Sequence, residues 1–579
     1  MHGPIADKAR KPDQDRAARS AWDRIRSARL NRWMVWGLSL LLSGGVGVYF
    51  WFYEGVLPNQ IFTTLVTLSL VAILAAVTRR VLFSTFLVAM LIAAVTAISF
   101  HKRSQELMVL HAWDFWFYVP SVFTSAMKPE HLGFTLAFLA GALATAALAW
   151  LAWKVERPHL RRAWTALACV VLIAASVAAT MQRPERRHTQ FFWDDSFITS
   201  FYASWAEALV AWRRGNLVEA AATASRPPLR TDTTCAPVQK PPNIILIHEE
   251  SVFEPSIFPQ VEYDRRLDAF FRPPGGQHRS MRVETYGGGS WMTEFSIMTG
   301  LSAQSFGGMR GFLQTFMVNR LGDTLPQALE RCGYRNVLFY PMLKVFISTA
   351  PFYNSIGVRE IFDAKDQKAP TAWERDRFYF GNALAEMERH FATSKAPLFT
   401  FIQTMGTHWP YDVKHFADED VPGGGPGAEI NEFLRRLWLA KVDYDDMKRQ
   451  LETRFPGERF LIVHYGDHHP MATRFLLGFK DGTEAEDIVL APDSPGLVTY
   501  LALDGVRYTP LPIPRTEPVD AAYLGTLALT AAGLPLPDSM KERLRLLEVC
   551  KGRYYDCADR NEIPGFHRRL LDAGLLKPR

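Results

Sequence analysis

Five long apolar runs in the first third of the chain constrain its fold more than any other feature. They cover residues 33–53, 61–78, 81–100, 132–153 and 163–181, and none of them contains a charged residue. Because a helix of about 20 apolar residues crosses the hydrocarbon core of a bilayer, we expect five transmembrane helices. Transporters and pumps usually place charged side chains along their path. The uncharged runs therefore favour a membrane anchor with a functional site outside the bilayer.

Basic residues indicate how these helices cross the membrane. A dense cluster of Lys and Arg, from Lys8 to Arg32, precedes the first run, and Arg79, Arg80 and Lys154 flank later runs. Loops rich in Lys and Arg stay in the cytoplasm. Although some basic residues also follow the third and fifth runs, the N-terminal cluster outweighs them. We expect a multi-pass protein of the inner (cytoplasmic) membrane, with the segment after residue 182 on the periplasmic or extracellular side.

The formal net charge of the chain is +6, and the topology accounts for most of the arginines behind it. No basic patch remains that would indicate nucleic-acid binding. Anionic lipid head groups are the partner that this charge favours. We therefore expect a membrane as a partner and no nucleic acid.

Cysteine positions agree with an outward-facing C-terminal part. Cys169 falls within the fifth run, whereas Cys235, Cys332, Cys550 and Cys557 follow it. An even number of cysteines outside the cytoplasm permits two disulfides. Cys550 and Cys557 are close enough in sequence to close a small loop, while a pairing of Cys235 with Cys332 is only what remains.

The composition divides the chain into four segments. We predict a cytoplasmic N-terminal segment at 1–32, a five-span transmembrane domain at 33–182, an amphipathic connecting helix and linker at 183–242, and an outer domain at 243–579. In the outer domain, β-rich runs alternate with helical stretches, which is typical of an α/β domain with a largely parallel sheet. The clearest strands are 244–247, 336–339, 398–402, 460–463 and 497–501, and a short strand at 281–284, the second in chain order, leads into a glycine turn.

Polar residues follow four of these strands. Ligands of parallel α/β sheets bind beyond the carboxyl ends of the strands, so these residues are candidates for a site. Carboxylates and imidazoles brought to one edge would make an oxygen and nitrogen site suited to zinc or manganese. The candidates are His248, Glu249 and Glu250 after the first strand, Ser290 after the second, His408 after the fourth, and Asp467, His468 and His469 after the fifth.

A glycine turn presents the candidate nucleophile, Ser290. The stretch Thr-Tyr-Gly-Gly-Gly-Ser-Trp-Met-Thr-Glu-Phe at 285–295 predicts a strand end, a tight turn and a helix start. Free N–H groups and the positive end of the helix dipole would attract a phosphate. Contact with a metal would lower the pKa of the Ser290 hydroxyl and make it a nucleophile near neutral pH. Thr293, three residues later, is the alternative nucleophile.

In their order along the chain, these motifs resemble the membrane-anchored lipoteichoic acid synthase and phosphoethanolamine or phosphoglycerol transferase branch of the alkaline phosphatase and sulfatase superfamily. The resemblance covers the five-span anchor and the outer domain to about Pro470. It implies a five-helix transmembrane domain followed by an α/β alkaline phosphatase or sulfatase-like catalytic domain with a largely parallel central sheet.

The resemblance also implies roles for particular residues. Glu250, Ser290, Asp467 and His468 correspond to the metal ligands of the branch. The segment Gly-Thr-His-Trp-Pro-Tyr resembles its histidine loop, which implies that His408 contacts the phosphoryl group or its leaving oxygen, with Trp409 beside it in the substrate site.

Three features depart from related enzymes. The usual nucleophile of the branch is Thr, where this chain has Ser290. Glycerol-phosphate polymerases place a His where this chain has Tyr340-Pro-Met, which disfavours polymerase activity. The Cys or Ser-x-Pro-x-Arg signature of formylglycine sulfatases is also missing, because Ser290 is followed by Trp-Met-Thr-Glu.

The leading hypothesis for function is a two-step transferase. Ser290 would take a phosphoethanolamine or phosphoglycerol group from a phospholipid donor, and the covalent intermediate would pass it to an envelope glycan or lipid. The alternative is a metal-dependent phosphodiesterase or phosphatase that uses water as the acceptor. A non-catalytic membrane sensor or assembly protein is a third hypothesis, which the complete set of metal ligands disfavours.

Overall fold

The computed structural model of the protein describes residues 30–55, 57–106, 109–117, 129–181, 196–214, 218–224, 226–231, 234–236, 240–371, 373–416, 421–422, 424–480 and 490–577. These residues form two compact units, the first ending at Ala208 and the second beginning at Leu209. The basic cluster before residue 30 lies outside the described residues, and the predicted segment limits stay predictions.

The first unit contains the five predicted spans as helices. Among the described residues, five helices are long and apolar enough to cross a membrane, as the sequence predicts. They are α1 (Arg32–Tyr53), α2 (Leu57–Thr78), α3 (Val81–Glu106), α5 (Pro129–Val155) and α6 (Arg162–Met181), with a short helix α4 (Asp114–Phe117) between the third and fourth. Helix α7 (Phe197–Arg214) follows the last span and continues into the second unit.

Two buried carboxylates join helix ends within the first unit. Glu54, which follows α1, accepts hydrogen bonds from the backbone N–H groups of Ile198 (3.0 Å) and Thr199 (2.8 Å) at the start of α7. Glu156, which follows α5, accepts one from the N–H group of Val81 (2.7 Å) at the start of α3. The N-terminus of a helix carries partial positive charge and unpaired N–H groups, so each carboxylate is stabilised without facing lipid.

The second unit is built on a mixed, largely parallel sheet, as predicted. Its strands are β1 (Asn243–Glu249), β2 (Gln277–Arg282), β3 (Arg335–Phe339), β4 (Glu360–Phe362), β5 (Leu398–Gln403), β6 (Phe460–Gly466), β7 (Val498–Val506) and β8 (Val519–Asp520). Their order is β4-β3-β5-β1-β6-β7-β2-β8, and β7 pairs antiparallel with both of its neighbours. Strand β1 is central and buried on both faces, which explains its unbroken Ile-Ile-Leu-Ile run.

Helices complete the second unit. They are α8 (Asp268–Phe271), α9 (Ser290–Thr299), α10 (Leu313–Phe316), α11 (Leu325–Arg331), α12 (Thr349–Ser355), α13 (Asp376–Thr393), α14 (Ala428–Arg454), α15 (Leu524–Ala531), α16 (Asp538–Val549) and α17 (Glu562–Asp572). Ile245 and Ile247 of β1 pack in one apolar cluster with Tyr379 of α13 and with Phe433 and Leu437 of α14. This core fixes the central strands, and therefore the loops that leave their carboxyl ends.

The structure corrects some predicted strand limits. Strand β2 begins at Gln277 and ends at Arg282, so the prediction of 281–284 is wrong at both ends. The polar start of β2 forms a strand because Gln277 is paired in register with Leu503 of the apolar strand β7. The short edge strands β4 and β8 were not predicted, since two or three residues carry no periodicity.

Two disulfides close within the second unit. Cys550 is bonded to Cys557, which confirms the predicted small loop, and Cys235 is bonded to Cys332. The second pair is 97 residues apart in sequence. It joins the linker ahead of β1 to the C-terminal end of α11.

We expect Glu284, which lies between β2 and the glycine turn, to make stability depend on pH. Burial raises the pKa of Glu284 from 4.5 to about 7, although Ser302 and the Gln304 N–H group donate hydrogen bonds to it. The folded state therefore holds a proton that the unfolded state releases, so this contribution to stability is lost as the pH rises from about 4.5 through 7. At about pH 8, Glu284→Gln should raise the unfolding free energy by about 1–3 kcal/mol.

Thermal unfolding of the full-length protein in detergent, followed at about pH 5.5 and 8.5, measures this effect. The difference between the two melting temperatures should be smaller in the Glu284→Gln variant than in the wild type. Equal differences in both proteins would contradict the assignment to Glu284.

Candidate active site

The nucleophile segment follows β2 as a turn of three glycines. Gly287, Gly288 and Gly289 have φ angles of 73°, 152° and 83°, which residues with side chains rarely adopt. A Cβ atom at Gly287 would also lie 2.7 Å from the sulfur of Met471. The turn places Ser290 at the first position of α9, where backbone N–H groups have no acceptor within the helix.

The Ser290 hydroxyl lies against two of the predicted metal ligands. Its Oγ donates a hydrogen bond to Glu250 Oε2 at 3.1 Å and lies 3.3 Å from His468 Nε2. The Ser290 side chain is half-buried, so a substrate can reach it from solvent. Ser290 thus combines accessibility with close contact to the polar cluster.

Thr293 occupies a different position. Its side chain is buried, and its Oγ1 donates a hydrogen bond to the backbone carbonyl of Asp467 at 2.8 Å. This contact ties α9 to the loop after β6 and uses the hydroxyl for packing. The geometry therefore favours Ser290 over Thr293 as the nucleophile.

Asp467 connects the loops that follow β1 and β6. Its Oδ1 accepts hydrogen bonds from the N–H groups of Ser251 (2.7 Å) and His468 (2.8 Å). Its Oδ2 is buried without a hydrogen-bond partner among the described residues, although His248 Nε2 (3.1 Å) and His468 Nε2 (3.2 Å) approach it. Imidazole nitrogens and carboxylate oxygens are zinc ligands, so this grouping is a candidate metal site.

His248 is the site residue to which sequence reasoning assigned no role. It lies at the end of β1, is fully buried, and places Nε2 3.8 Å from Glu250 Oε2. Its Nδ1 lies 3.0 Å from the hydroxyl of the buried Tyr465, the residue that faces it in register on β6. A metal-bound histidine usually has such a partner on its second nitrogen. The sequence feature that could have indicated this role is a single histidine within an apolar strand.

The spacing of these donor atoms fits a metal ion. The close contacts among Glu250, Ser290, Asp467, His468 and His248 join oxygen and nitrogen atoms 3.1–3.8 Å apart. His248, Glu250 and Asp467 each place one possible ligand atom within 4.8 Å of the other two. In a tetrahedral zinc site with ligands at about 2.0–2.1 Å, neighbouring donors are about 3.3–3.4 Å apart. The mixture of oxygen and imidazole donors suits zinc or manganese.

The pKa shifts within the cluster also favour a bound metal ion. Burial raises the pKa of Glu250, but His248, His468 and His408 lower it by more, so its pKa lies well below the ordinary value. Burial lowers the pKa of His248, yet Asp467 and Glu250 raise it to about 10. Both shifts show that the buried carboxylates strongly favour positive charge among them. A divalent cation would supply that charge.

A family comparison agrees with this fold. Residues 242–492 match the model of the family described as Sulfatase. The chain contains a sulfatase-family domain. The match includes the loops after β1, β2, β5 and β6, and therefore all of the donor atoms above.

Individual relatives of the sulfatase-family domain are distant. An uncharacterized protein of Haemophilus influenzae is 22% identical over 342 residues, which cover 55% of this chain and 58% of that protein. The chain thus spans less than two thirds of that relative's length.

Two solved structures also resemble the chain. One is the phosphoglycerol transferase GacH of Streptococcus pyogenes in complex with sn-glycerol-1-phosphate, with a TM-score of 0.45 and 14% identity over 59% of this chain and 87% of that one. The other is the integral membrane lipooligosaccharide phosphoethanolamine transferase A of Neisseria meningitidis, with a TM-score of 0.44 and 11% identity. The match covers 85% of this chain and 95% of that one.

The histidine loop of the sulfatase-family domain, residues 404–411, is held beside Glu250. Thr407 Oγ1 donates a hydrogen bond to the Glu250 carbonyl, and Arg436 donates to the carbonyls of His408 and Pro410, both at 2.6 Å. Arg436 is itself buried, so the loop is anchored to the core. Its path brings His408 close enough to Glu250 to lower the pKa of that carboxyl.

His408 stands apart from the other site residues. In the part of the chain that the structure describes, no hydrogen bond joins it to the donor cluster. Its Nδ1 is enclosed by Trp373 Nε1 at 3.1 Å and the Trp409 carbonyl at 2.5 Å, which leaves Nε2 to face a substrate. The Trp409 side chain is exposed. The structure thus brings together Glu250, Ser290, Asp467 and His468, and places His408 and Trp409 on the neighbouring loop.

Two more buried carboxylates accept hydrogen bonds from the histidine loop. Asp376 Oδ1 accepts a hydrogen bond from the Gly406 N–H group at 2.9 Å, and Glu249 Oε2 accepts one from Thr404 Oγ1 at 3.3 Å. Burial, and then the nearby Asp443, raise the pKa of Asp376 to about 7. The loop is therefore positioned at a cost in electrostatic free energy.

Removing a carboxylate from the cluster should remove the metal. We expect Asp467→Ala and Glu250→Ala to weaken zinc or manganese binding by at least about 100-fold, because even outer partners of metal ligands contribute about 10–100-fold. Elemental analysis and chelator competition measure the affinity. Asp445→Ala, at an exposed aspartate of α14 that pairs with Lys441, is the control and should keep the metal. Full metal occupancy in both cluster variants would contradict the site.

Proposed function

We propose that the protein is a metal-dependent transferase that moves a phosphoethanolamine or phosphoglycerol group from a phospholipid to an envelope glycan or lipid. The reaction passes through a covalent phosphoserine-type intermediate on Ser290. The observation that carries the proposal is the position of the Ser290 hydroxyl, at a helix N-terminus and within 3.3 Å of both Glu250 and His468.

Several residues of the site have separate roles in the first step. Ser290 Oγ attacks the phosphorus of the lipid phosphodiester, and the bond from phosphorus to the diacylglycerol oxygen breaks. Glu250 Oε2 accepts the Ser290 hydrogen bond and so orients the hydroxyl, whose proton passes to water as the bond to phosphorus forms. His408 Nε2 donates a proton to the departing diacylglycerol oxygen. N–H groups at the start of α9 stabilise negative charge on the phosphoryl oxygens.

The second step reverses these roles. His408 Nε2, now without its proton, removes one from the acceptor hydroxyl, whose oxygen attacks the phosphorus of the intermediate. The Ser290–phosphorus bond breaks, and Ser290 Oγ regains its proton from water. Glu250, Ser290, Asp467 and His468 would hold a zinc or manganese ion, with His248 as a further ligand. Such an ion would neutralise charge on the phosphoryl group and lower the pKa of the Ser290 hydroxyl.

The five helices of spanning length support a reaction at the surface of a membrane. Five helices of spanning length attach the domain to a membrane, and the basic N-terminal cluster supports a periplasmic or extracellular sulfatase-family domain. Two disulfides in that domain support the same side, because disulfides persist in oxidising compartments. A phospholipid donor in the same membrane is then always within reach.

Hydrolysis is the alternative function, with water in place of the glycan or lipid acceptor. The half-buried position of Ser290 leaves the intermediate accessible to either acceptor. Product analysis with and without a glycan acceptor distinguishes the two: both release diacylglycerol, but a transferase modifies the acceptor, whereas a hydrolase releases the free head-group phosphate.

The nucleophile is tested by two hydroxyl variants. Ser290→Ala should lower the release of diacylglycerol from phosphatidylethanolamine or phosphatidylglycerol by at least about 1,000-fold and abolish the covalent adduct. Thr293→Val keeps the shape of Thr293 but removes one hydrogen bond, so it should cost less than about tenfold. Peptide mass spectrometry locates the adduct. Finding it on Thr293, or full turnover by Ser290→Ala, would contradict the assignment.

The role of His248 is tested by counting imidazoles on the metal. Pulsed electron paramagnetic resonance of the manganese-loaded protein should detect two coordinating imidazole nitrogens in the wild type and one in His248→Leu. His464→Leu is the matched control, because His464 is equally buried and its Nδ1 also lies near a tyrosine hydroxyl, that of Tyr500, at 3.2 Å. One imidazole in the wild type would show that His248 only positions Asp467.

A further inference from the structure

Large apolar side chains are exposed on loops at the carboxyl edge of the sheet. Their exposed fractions lie between 37% and 78%, which is unusual for side chains of this size in one region of a folded domain. We call this set the apolar rim; it consists of Met342, Leu343, Val345, Trp373, Trp409 and Val413.

One side of the apolar rim borders the nucleophile. Met342, Leu343 and Val345 lie on the loop after β3, and the next residue, Phe346, packs edge-on against Trp291 with ring centroids 6.2 Å apart. Trp291 directly follows Ser290 in α9. The exposed end of this loop is therefore connected to the reacting hydroxyl through two packed aromatic rings.

The other side of the apolar rim borders His408. Trp373 Nε1 lies 3.1 Å from His408 Nδ1, and the Trp373 ring packs near His415 at 5.9 Å. Trp409 and Val413 lie on the same segment, which Arg436 holds through the carbonyls of Pro410 at 2.6 Å and Val413 at 2.8 Å.

The loop after β3 keeps its exposed side chains under backbone strain. Ile347 and Ser348 have consecutive φ values of 46° and 59°, in a region that β-branched residues strongly disfavour. Ile347 nevertheless buries its side chain, while Val345 two residues earlier is 78% exposed. Strain of this kind persists near functional sites where the surrounding structure maintains it. The strained residues thus follow directly after the exposed Val345.

We propose that the apolar rim enters the head-group region of a phospholipid bilayer, so that a lipid phosphodiester reaches Ser290 without leaving the membrane. This inference rests on the proposed function. A lipid surface is the favoured occupant because five helices of spanning length tether the chain to one. Tryptophan mixed with aliphatic side chains is also the composition of membrane-interface segments.

Spin labels on two matched leucines test this contact without measuring activity. Leu343 in the rim is 53% exposed, and Leu511 is 47% exposed. Leu511 lies at the opposite edge of the sheet, where its carbonyl accepts a hydrogen bond from Gln277 at the start of β2. Leu343→Cys and Leu511→Cys would be made in a Cys169→Ser background, since Cys169 is the free cysteine of the described chain.

The labelled full-length proteins would be placed in bilayers of phosphatidylethanolamine and phosphatidylglycerol. The Leu343 label should collide more with oxygen, which concentrates in lipid, and the Leu511 label more with a water-soluble nickel chelate. Water-type collisions at both positions would overturn the proposal. Protection of Leu343 from both reagents would also overturn it, because it would show that protein covers the rim.

Substrate form gives a second readout. The double variant Leu343→Gln/Val345→Gln should turn over bilayer phosphatidylethanolamine about tenfold or more slowly, because apolar contact with the lipid is lost. It should turn over a monomeric short-chain analogue at the wild-type rate, and Leu511→Gln should behave as wild type on both. Equal losses on both substrates would contradict a lipid contact. Wild-type inactivity on every phospholipid would instead refute the proposed function, while the labels still decide the position of the rim.

Discussion

The site depends on the burial of several carboxylates and imidazoles at the carboxyl edge of one sheet. Asp467 has no exposed surface, and its Oδ1 fastens the loop after β6 to the Ser251 N–H group in the loop after β1. Its other oxygen faces His248 and His468. Buried charge of this kind is costly unless it is paired or bound to a metal. The same cost makes this cluster a candidate site for a divalent cation.

The elements around this cluster would each contribute one requirement of the proposed phosphoryl transfer. The glycine turn allows α9 to start beside Glu250, so the Ser290 hydroxyl and free backbone N–H groups point to the same place. The histidine loop adds an imidazole from the next strand, held by Arg436 and by the buried Asp376. Because these groups come from separate loops of one rigid sheet, their positions are set before any substrate binds.

The first unit places its charged residues differently. Charged residues of its described spans, such as Arg32, Lys102, Arg103 and Lys154, lie at or near helix ends. The buried Glu54 and Glu156 follow helices and accept backbone hydrogen bonds. These hydrogen bonds stabilise the ends of the helices. In the proposed function, the chemistry belongs to the sulfatase-family domain, and the first unit anchors that domain to a membrane.

The sequence by itself determined the features that depend on local composition. Apolar runs of spanning length, the buried strand β1 and the glycine turn before Ser290 are visible because each follows from a few adjacent residues. The polar residues after the strands were also visible, since parallel strands end at one edge. Only the tertiary structure shows that His248 faces Tyr465 and Asp467, and that the Thr293 hydroxyl donates a hydrogen bond to a backbone carbonyl. It also shows that Cys235 pairs with Cys332. These contacts join residues far apart in the chain, and they depend on strand order and register, which no local pattern encodes.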